Sequence, residues 1–295
     1  MRSNFAVFIL THGRPDRLYT LDTLKKCGYT GKYYIIIDTE DKRANEYIAK
    51  YGDKVRIFDK KEESKLFDTA DTFDDRRAIV YARNVSFRIA KELKLDYFLE
   101  LDDDYTNFRF RVEKDNVLRS IYCRHLDDVF EAMLDFLDAS PKIKTIALAQ
   151  TGDFIGGTDS NVFKQKLARK CMNSFFCRVD RPFQFVGRVN EDVNTYTSLG
   201  NKGELLFTVA ECSLDQLATQ SNSGGMTELY LDSGTYVKSF YSVMINPSCV
   251  KIGLMGQSNK RIHHKIYWNY CTPKIISEKY KKVIEWINTR YLKRW

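Results

Sequence analysis

The sequence predicts an α/β protein in which a mostly parallel central sheet is covered by helices on both faces. Three observations predict it. Near-continuous apolar runs recur at Phe5 to Leu10, Tyr33 to Ile37, Val55 to Phe58, Tyr97 to Leu101 and Ile143 to Ala149, the texture of strands buried on both sides. Between most of them lie stretches with helical spacing, so strand and helix alternate as parallel pairing requires. Acidic residues follow directly where several runs stop, at the carboxyl edge where open sheets of this kind bind ligands.

Taken in order, Phe5 to Leu10 is a first strand, and Thr11-His12-Gly13-Arg14-Pro15 is a loop entering a helix with Pro15 near its first position and Gly28 just past its end. Tyr33 to Ile37 is a second strand, closed by Asp38 with Glu40 and Asp41 behind it. A short helix through Asn45 to Tyr51 stops at Gly52, and Val55 to Phe58 is a third strand. Ala78, Ala82, Val85, Ile89 and Leu93 keep helical spacing for about four turns. That helix feeds Tyr97 to Leu101, apolar except for Glu100, which runs into Asp102, Asp103 and Asp104. Leu126, Val129, Phe130, Met133, Leu134 and Leu137 mark another amphipathic helix, and Ile143 to Ala149 another strand. Beyond it the texture changes to Gly/Ser-rich loops at Gly152 to Gly157 and Ser221 to Gly225, with an aromatic stretch from Phe175 to Phe185. No linker or internal repeat divides the chain, so one domain is expected.

Composition narrows the class. With 43% hydrophobic and 14% aromatic residues in 295, the chain can bury a sizeable core. No run is long enough to span a bilayer, and the opening apolar run is too short for a signal peptide, so no membrane association and a cytoplasmic location are expected. Seven scattered cysteines without a CxxC pair argue against a disulfide framework or a zinc ribbon. The net charge of +8 is unevenly placed: residues 251–295 hold eleven Lys and Arg against two Glu, a balance of +9, which leaves −1 for the first 250 residues. A cationic end attracts a polyanion such as nucleic acid or an anionic membrane surface. Ile276, Tyr280, Val283 or Ile284, Ile287 and Tyr291 recur at helical spacing there, which also describes a docked amphipathic helix with a lysine-rich outer face.

Three carboxylates at a strand end repel one another unless a hard divalent cation sits among them; an acidic turn is the plain alternative. A nucleotide-diphosphate ligand fits the first half. Asp102 and Asp104 would face the metal, Arg14 and Arg83 the phosphate oxygens, and Asp38 a base or ribose.

The succession ILTHGR, IIIDTED and ARN…A…LDYFLELDDD resembles the nucleotide-sugar half of a GT-A fold glycosyltransferase, whose Asp-x-Asp motif holds Mn²⁺ or Mg²⁺ against the diphosphate. The resemblance implies Asp102 and Asp104 as metal ligands, and Thr11, Arg14, Asp38, Arg83, Asp102 and Asp103 around the nucleotide sugar. NSFFCRVDRPFQFVGRVNEDVNTY is similar to the acceptor-side segment that ends in a Glu-Asp pair at a helix start. By that likeness Asp192 is the catalytic base, with Glu191 the competing assignment, and a His near the C-terminus adds a metal ligand. Strand alternation across Arg261 to Ile266 favours His263 over His264. More narrowly, NEDVNTY, SFYSVMINPSCVKIG and HHKIYWNY resemble the phage glycosyltransferases associated with TET-like DNA hydroxylases, which decorate hydroxymethylated pyrimidines such as hydroxymethylcytosine.

The expectation is therefore a metal-dependent GT-A transferase with a UDP-sugar donor and modified double-stranded DNA as acceptor, without an obligate protein partner. Its nucleotide-sugar half would be residues 1–110, its acceptor half 111–272 and its basic C-terminal helix 273–295. Lys260, Arg261, Lys279, Lys281 and Lys282 would contact DNA. A glycan or lipid-linked acceptor, a nucleotidyltransferase and a DNA-binding module with structural carboxylates are the competing readings.

Overall fold

The apolar runs form the strands they predict. The computed structural model describes residues 1–71, 76–217, 227–256 and 260–271. In chain order the first half is β1 (Phe5–Leu10), α1 (Tyr19–Lys26), β2 (Lys32–Asp38), α2 (Ala44–Tyr51), β3 (Val55–Phe58), the one-turn α3 (Lys60–Glu63), α4 (Val80–Glu92), β4 (Tyr97–Asp102), β5 (Tyr105–Lys114) and β6 (Val117–Tyr122). The remainder is α5 (Leu126–Ala139), β7 (Ile143–Gln150), α6 (Asn161–Gln165), β8 (Leu167–Ala168), β9 (Ser174–Arg178), α7 (Glu191–Asn201), β10 (Leu205–Gln216), α8 (Thr227–Ile245), β11 (Val250–Met255) and β12 (Arg261–Ile266).

Strands β1 to β10 make one sheet in the order β3-β2-β1-β4-β9-β7-β10-β5-β6, with β8 on β10. The first four are parallel neighbours. β9 runs antiparallel to both β4 and β7, which returns β7 and its parallel neighbour β10 to the direction of the first four. β6, antiparallel to β5, which is antiparallel to β10, is the seventh strand in that direction. Seven of ten strands thus share one direction, and several of their carboxyl ends gather: Leu10 lies opposite Asp102, and Asp38 opposite Phe58.

Alternation along β1 explains why both faces are covered. Phe5, Val7 and Ile9 pack with residues of α1, α2 and α5; Ala6, Phe8 and Leu10 pack with residues of α4 and α7. β11 and β12 form a separate antiparallel ribbon that leans on α8, where Ser239 Oγ donates to the Ile262 carbonyl at 3.2 Å. All seven cysteines are free and buried. Among the described residues no helix is long and apolar enough to cross a membrane.

Three details differ from the sequence-based expectation. α1 starts at Tyr19, four residues beyond Pro15, because Arg17 N–H closes a turn onto the Arg14 carbonyl at 3.0 Å while Arg14 N–H donates to Tyr47 Oη at 2.7 Å. The β5–β6 hairpin went unforeseen, although its tip is Asp115-Asn116, both in the left-handed region (φ 55° and 59°) as a two-residue turn of type I′ requires. The aromatic stretch contributes β9, whose Phe175 and Phe176 are fully buried between β4 and β7. The basic C-terminal helix and the loop at Ser221 to Gly225 lie outside the described residues.

Candidate active site

The carboxyl end of β4 builds the site. Tyr97, Leu99 and Leu101 point into the core layer beneath α1 and α5, which leaves Phe98, Glu100 and Asp102 on the α4 side. There Arg83, from α4 and 1% exposed, meets three carboxylates. Its Nη2 donates to Asp102 Oδ1 at 3.0 Å, its Nε to Glu191 Oε1 at 3.1 Å, and its Nη1 lies 3.5 Å from Glu100 Oε2. The guanidinium also lies 4.8 Å from the Phe175 ring centre. Desolvation opposes its charge, but the surrounding carboxylates outweigh it and raise its pKa.

Asp103 turns the other way. Its Oδ2 accepts from Thr11 Oγ1 at 2.6 Å and its Oδ1 from Arg14 Nη1 at 3.0 Å. The turn is braced by Thr20 at the head of α1: Thr20 Oγ1 donates to the Asp102 carbonyl at 2.5 Å and accepts from Tyr105 N–H at 2.9 Å. Asp104 pairs with no cation among the described residues.

The second carboxylate pair arrives from α7, which opens on Glu191 and Asp192. Asn190, just before it, is left-handed (φ 55°, ψ 40°), and Gly187 (φ 80°) is packed so tightly that a Cβ there would lie 2.5 Å from Asn194 Nδ2. Asn190 Nδ2 donates to the Lys238 carbonyl at 2.6 Å and Ser242 Oγ at 3.1 Å, and lies 3.4 Å from His264 Nδ1. Asp192 is 9% exposed and in no ion pair with a described residue; its Oδ1 accepts from Val193 N–H at 2.7 Å.

Charge at this edge is out of balance. Among the described residues six carboxylates (Glu100, Asp102, Asp103, Asp104, Glu191, Asp192) face Arg14, Arg83 and, near Asp192, Lys238, an excess of 6 − 3 = 3 negative charges when all are ionised. Burial first, then mutual repulsion, pushes Asp102 up to about 6, Asp104 to about 7 and Glu100 to about 8. Asp103, Glu191 and Asp192 are also raised, chiefly by burial. A divalent cation relieves such an excess, and the hard oxygen donors of Asp102 and Asp104 suit Mg²⁺ or Mn²⁺. Among the described residues no three His, Cys, Asp or Glu side chains are gathered as a finished metal cage.

The structure brings Thr11, Arg14, Arg83, Asp102, Asp103, Asp104, Glu191 and Asp192 into this one region. In it Arg83 is enclosed by carboxylates, and Arg14 is bonded to Asp103. Asp38 also differs from an open base or ribose ligand, since it is buried between His12 Nδ1 at 2.9 Å and Lys60 Nζ at 3.2 Å. Of the two histidines, His264 is the one beside Asn190, where burial, His263 and Lys238 hold its imidazole near 4 and therefore neutral. His263 and His264 lie on opposite faces of β12, as strand alternation expects, and His264 is on the face toward α7. Lys260 and Arg261 are exposed, while Lys279, Lys281 and Lys282 lie outside the described residues. Glu100, Thr20 and Asn190 were missed. A lone charge inside an apolar strand was the available signal for Glu100; nothing local marks the other two.

Residues 5–225 match the family model described as TET-Associated Glycosyltransferase. A comparison with curated proteins returns no match. Among solved structures, glucosyl-3-phosphoglycerate synthase from Mycobacterium tuberculosis in complex with Mg²⁺ and UDP is 11% identical, with 89% of this chain and 87% of that one covered and a TM-score of 0.43. GalNAc-T7 with UDP, GalNAc and Mn²⁺ is also 11% identical, with 83% of this chain and 50% of that one covered and a TM-score of 0.40.

Proposed function

The chain belongs to the TET-associated glycosyltransferase family, and on that premise we propose that it moves a sugar from a UDP-sugar to a hydroxyl of a hydroxymethylated or already glycosylated pyrimidine in DNA. In phage DNA such a product would shield the genome from restriction. The observation that carries the reading is Arg83, which ties Asp102 of the triple-aspartate turn to Glu191 of the α7 pair. Donor-side and acceptor-side carboxylates thereby share one site. The cationic end of the chain and the family itself support DNA as the acceptor.

Asp102 and Asp104 would hold Mn²⁺ or Mg²⁺, with His264 the better-placed histidine toward the acceptor side. When bound, the cation supplies charge neutralisation to the departing diphosphate. Glu191 is committed to Arg83, which leaves Asp192 to act as base. Its carboxylate takes the proton of the acceptor hydroxyl as that oxygen bonds to the anomeric carbon and the bond from this carbon to the diphosphate breaks. Burial raises the Asp192 pKa, which makes it a stronger base than a solvated carboxylate. Thr11 and Arg14 hold Asp103, and so fix the turn that presents Asp102 and Asp104.

The test is transfer itself. The protein is incubated with hydroxymethylated and plain duplexes, Mn²⁺ and a panel of nucleotide sugars; the DNA is digested to nucleosides and weighed. A hexose or pentose increment on the modified duplex alone supports the proposal. Transfer to a glycan with no increment on any DNA overturns the acceptor, and Asp104→Ala with full activity overturns the metal site.

A further inference from the structure

From Ser233 to Ser277 the sequence contains no Asp or Glu, yet it carries Lys238, Lys251, Lys260, Arg261, Lys265 and Lys274. The β11–β12 ribbon sorts part of this charge. Its register pairs Val250 with Ile266, Ile252 with His264 and Leu254 with Ile262, which puts these six side chains on one face. Lys251 pairs with Lys265, Gly253 with His263 and Met255 with Arg261 on the other. Along the first face Val250 and Ile266 pack with Cys249, Val243 and Trp268, and His264 approaches Asn190. On the second, Lys251, Arg261 and Lys265 are exposed, with exposed Lys260 just before β12.

The second face is costly for a surface with no partner. Like charges directly opposite each other across an antiparallel pair destabilise the ribbon, and Lys251 and Lys265 are such a pair. None of Lys251, Lys260, Arg261 and Lys265 forms an ion pair with a described residue. Lys251 Nζ donates one bond to the Pro247 carbonyl at 2.7 Å, which leaves two ammonium hydrogens. Lys265 Nζ lies 5.4 Å from the centre of the half-exposed Tyr267 ring. The arrangement presents cations and an aromatic to the outside with no carboxylate paired to them among the described residues.

We propose that this face of the β11–β12 ribbon, through Lys251, Arg261 and Lys265 with Lys260 beside them, binds the phosphates of duplex DNA. An antiparallel two-stranded ribbon is an element that the major groove of B-DNA admits, and lysine and arginine ammonium and guanidinium groups release counterions when they meet its phosphates. The other face of the ribbon lies one side-chain contact from Asn190, the residue before Glu191. A duplex on the outer face is therefore separated from the start of α7 by the ribbon itself. The choice of DNA as the polyanion rests on the acceptor reading; the phosphate contacts of the ribbon are tested apart from it.

The test compares the full chain with the double variant Lys251→Ala/Lys265→Ala, and with Lys25→Ala/Lys26→Ala at the far end of α1 as control. Affinity for a 30-base-pair unmodified duplex is followed by fluorescence anisotropy across a salt series. Two lost phosphate contacts make the slope of log affinity against log salt shallower by about 1.8, or about 60-fold in affinity at 0.1 M relative to 1 M salt. The control pair leaves the slope unchanged, and the ribbon variant melts no lower than the parent because a repulsive pair has been removed. An unchanged slope in the ribbon variant overturns the proposal even where the parent glycosylates DNA. Loss of slope in the ribbon variant supports it even where no DNA is glycosylated, in which case the acceptor reading falls alone. Parent protein that ignores DNA but binds anionic phosphatidylglycerol vesicles, with loss of that binding in the ribbon variant, also overturns it.

Discussion

Replacing Arg83 by Gln removes the guanidinium that joins Asp102 to Glu191. Two charge-assisted hydrogen bonds, at 3.0 and 3.1 Å, are lost, each worth about 1.5–3 kcal/mol. Breaking a buried pair from one side costs about 3–5 kcal/mol by itself. Both routes point to a loss of about 3–5 kcal/mol, a large share of the roughly 5–15 kcal/mol that holds a domain folded. The loss depends on pH, and its sign follows from the carboxylates. Asp102 is already raised to about 6 with Arg83 present; without the guanidinium the acids rise further, so the folded variant binds more protons than the unfolded one. Stability then falls as pH rises. Each tenfold gain in proton affinity on folding costs about 1.4 kcal/mol once the pH lies above the folded pKa. Urea unfolding in EDTA at pH 5 and pH 8 reads this directly: the deficit against wild type is larger at pH 8. Arg83→Lys restores the charge but not the planar fork, so it recovers only part. A deficit under 1 kcal/mol, or one equal at both pH values, refutes the bridging role.

Asp192→Asn is expected to lower kcat for transfer by about 10²–10⁴-fold with little change in the KM for donor; a kcat within threefold of wild type removes Asp192 as the base. Glu100→Gln should cost less than about 1 kcal/mol at pH 7, because Glu100 is held near 8 and is mostly neutral there. Its folded pKa is raised, so wild-type stability falls between roughly pH 4.3 and 8 while the variant stays flatter; parallel urea profiles contradict this. Asp138 accepts from Arg2 Nη1 at 2.8 Å, from Tyr97 Oη at 2.9 Å and from Arg178 Nη1, and its pKa is lowered, with desolvation opposing these three bonds. Asp138→Asn should therefore destabilise by about 1–3 kcal/mol at pH 7, with the difference from wild type shrinking as the pH falls from about 4 through the lowered folded pKa; thermal melts at pH 3 and 7 that show the same difference contradict it. Asn190→Gly, which keeps the left-handed backbone, should melt higher than Asn190→Ala, while both lose transfer activity; equal melting temperatures rule out backbone strain as the difference.

Legibility followed locality. Every strand read as an apolar run is present, and Val55 to Phe58 keeps its bounds, because burial on both faces writes itself into consecutive residues. The two acidic turns were legible for a similar reason: a strand or helix end fixes where its neighbours point. Partnership was not. Arg83 and Glu191 are 108 residues apart, and no pattern near either announces that the arginine serves carboxylates rather than phosphate. The β5–β6 hairpin was missed for another reason. Its strands are largely exposed, so they lack the apolar continuity that marked the others, and only the Asp115-Asn116 turn carried a signal.

The α7 pair shows why no single half of the chain could contain the site. Gly187 N–H and Arg188 N–H donate to the carbonyls of Asp68 and Thr69, at 2.8 and 2.9 Å, and Arg188 Nε reaches Asp71 at 2.8 Å, so the segment after α3 grips the turn from one side. From the other side Asn190 is bonded to α8 and touches β12. A left-handed Asn costs of the order of 1 kcal/mol or more unless its surroundings enforce it, and here both flanks do. The turn that leads into Asp192 is thus tied on one side to the 68–71 segment and on the other to α8 and the ribbon that carries His264. A change in that ribbon therefore bears on the turn before Asp192 as well as on any phosphate contact its cationic face makes. For that reason the slope of DNA affinity against salt, which reads phosphate contacts alone, discriminates where a loss of transfer activity would not.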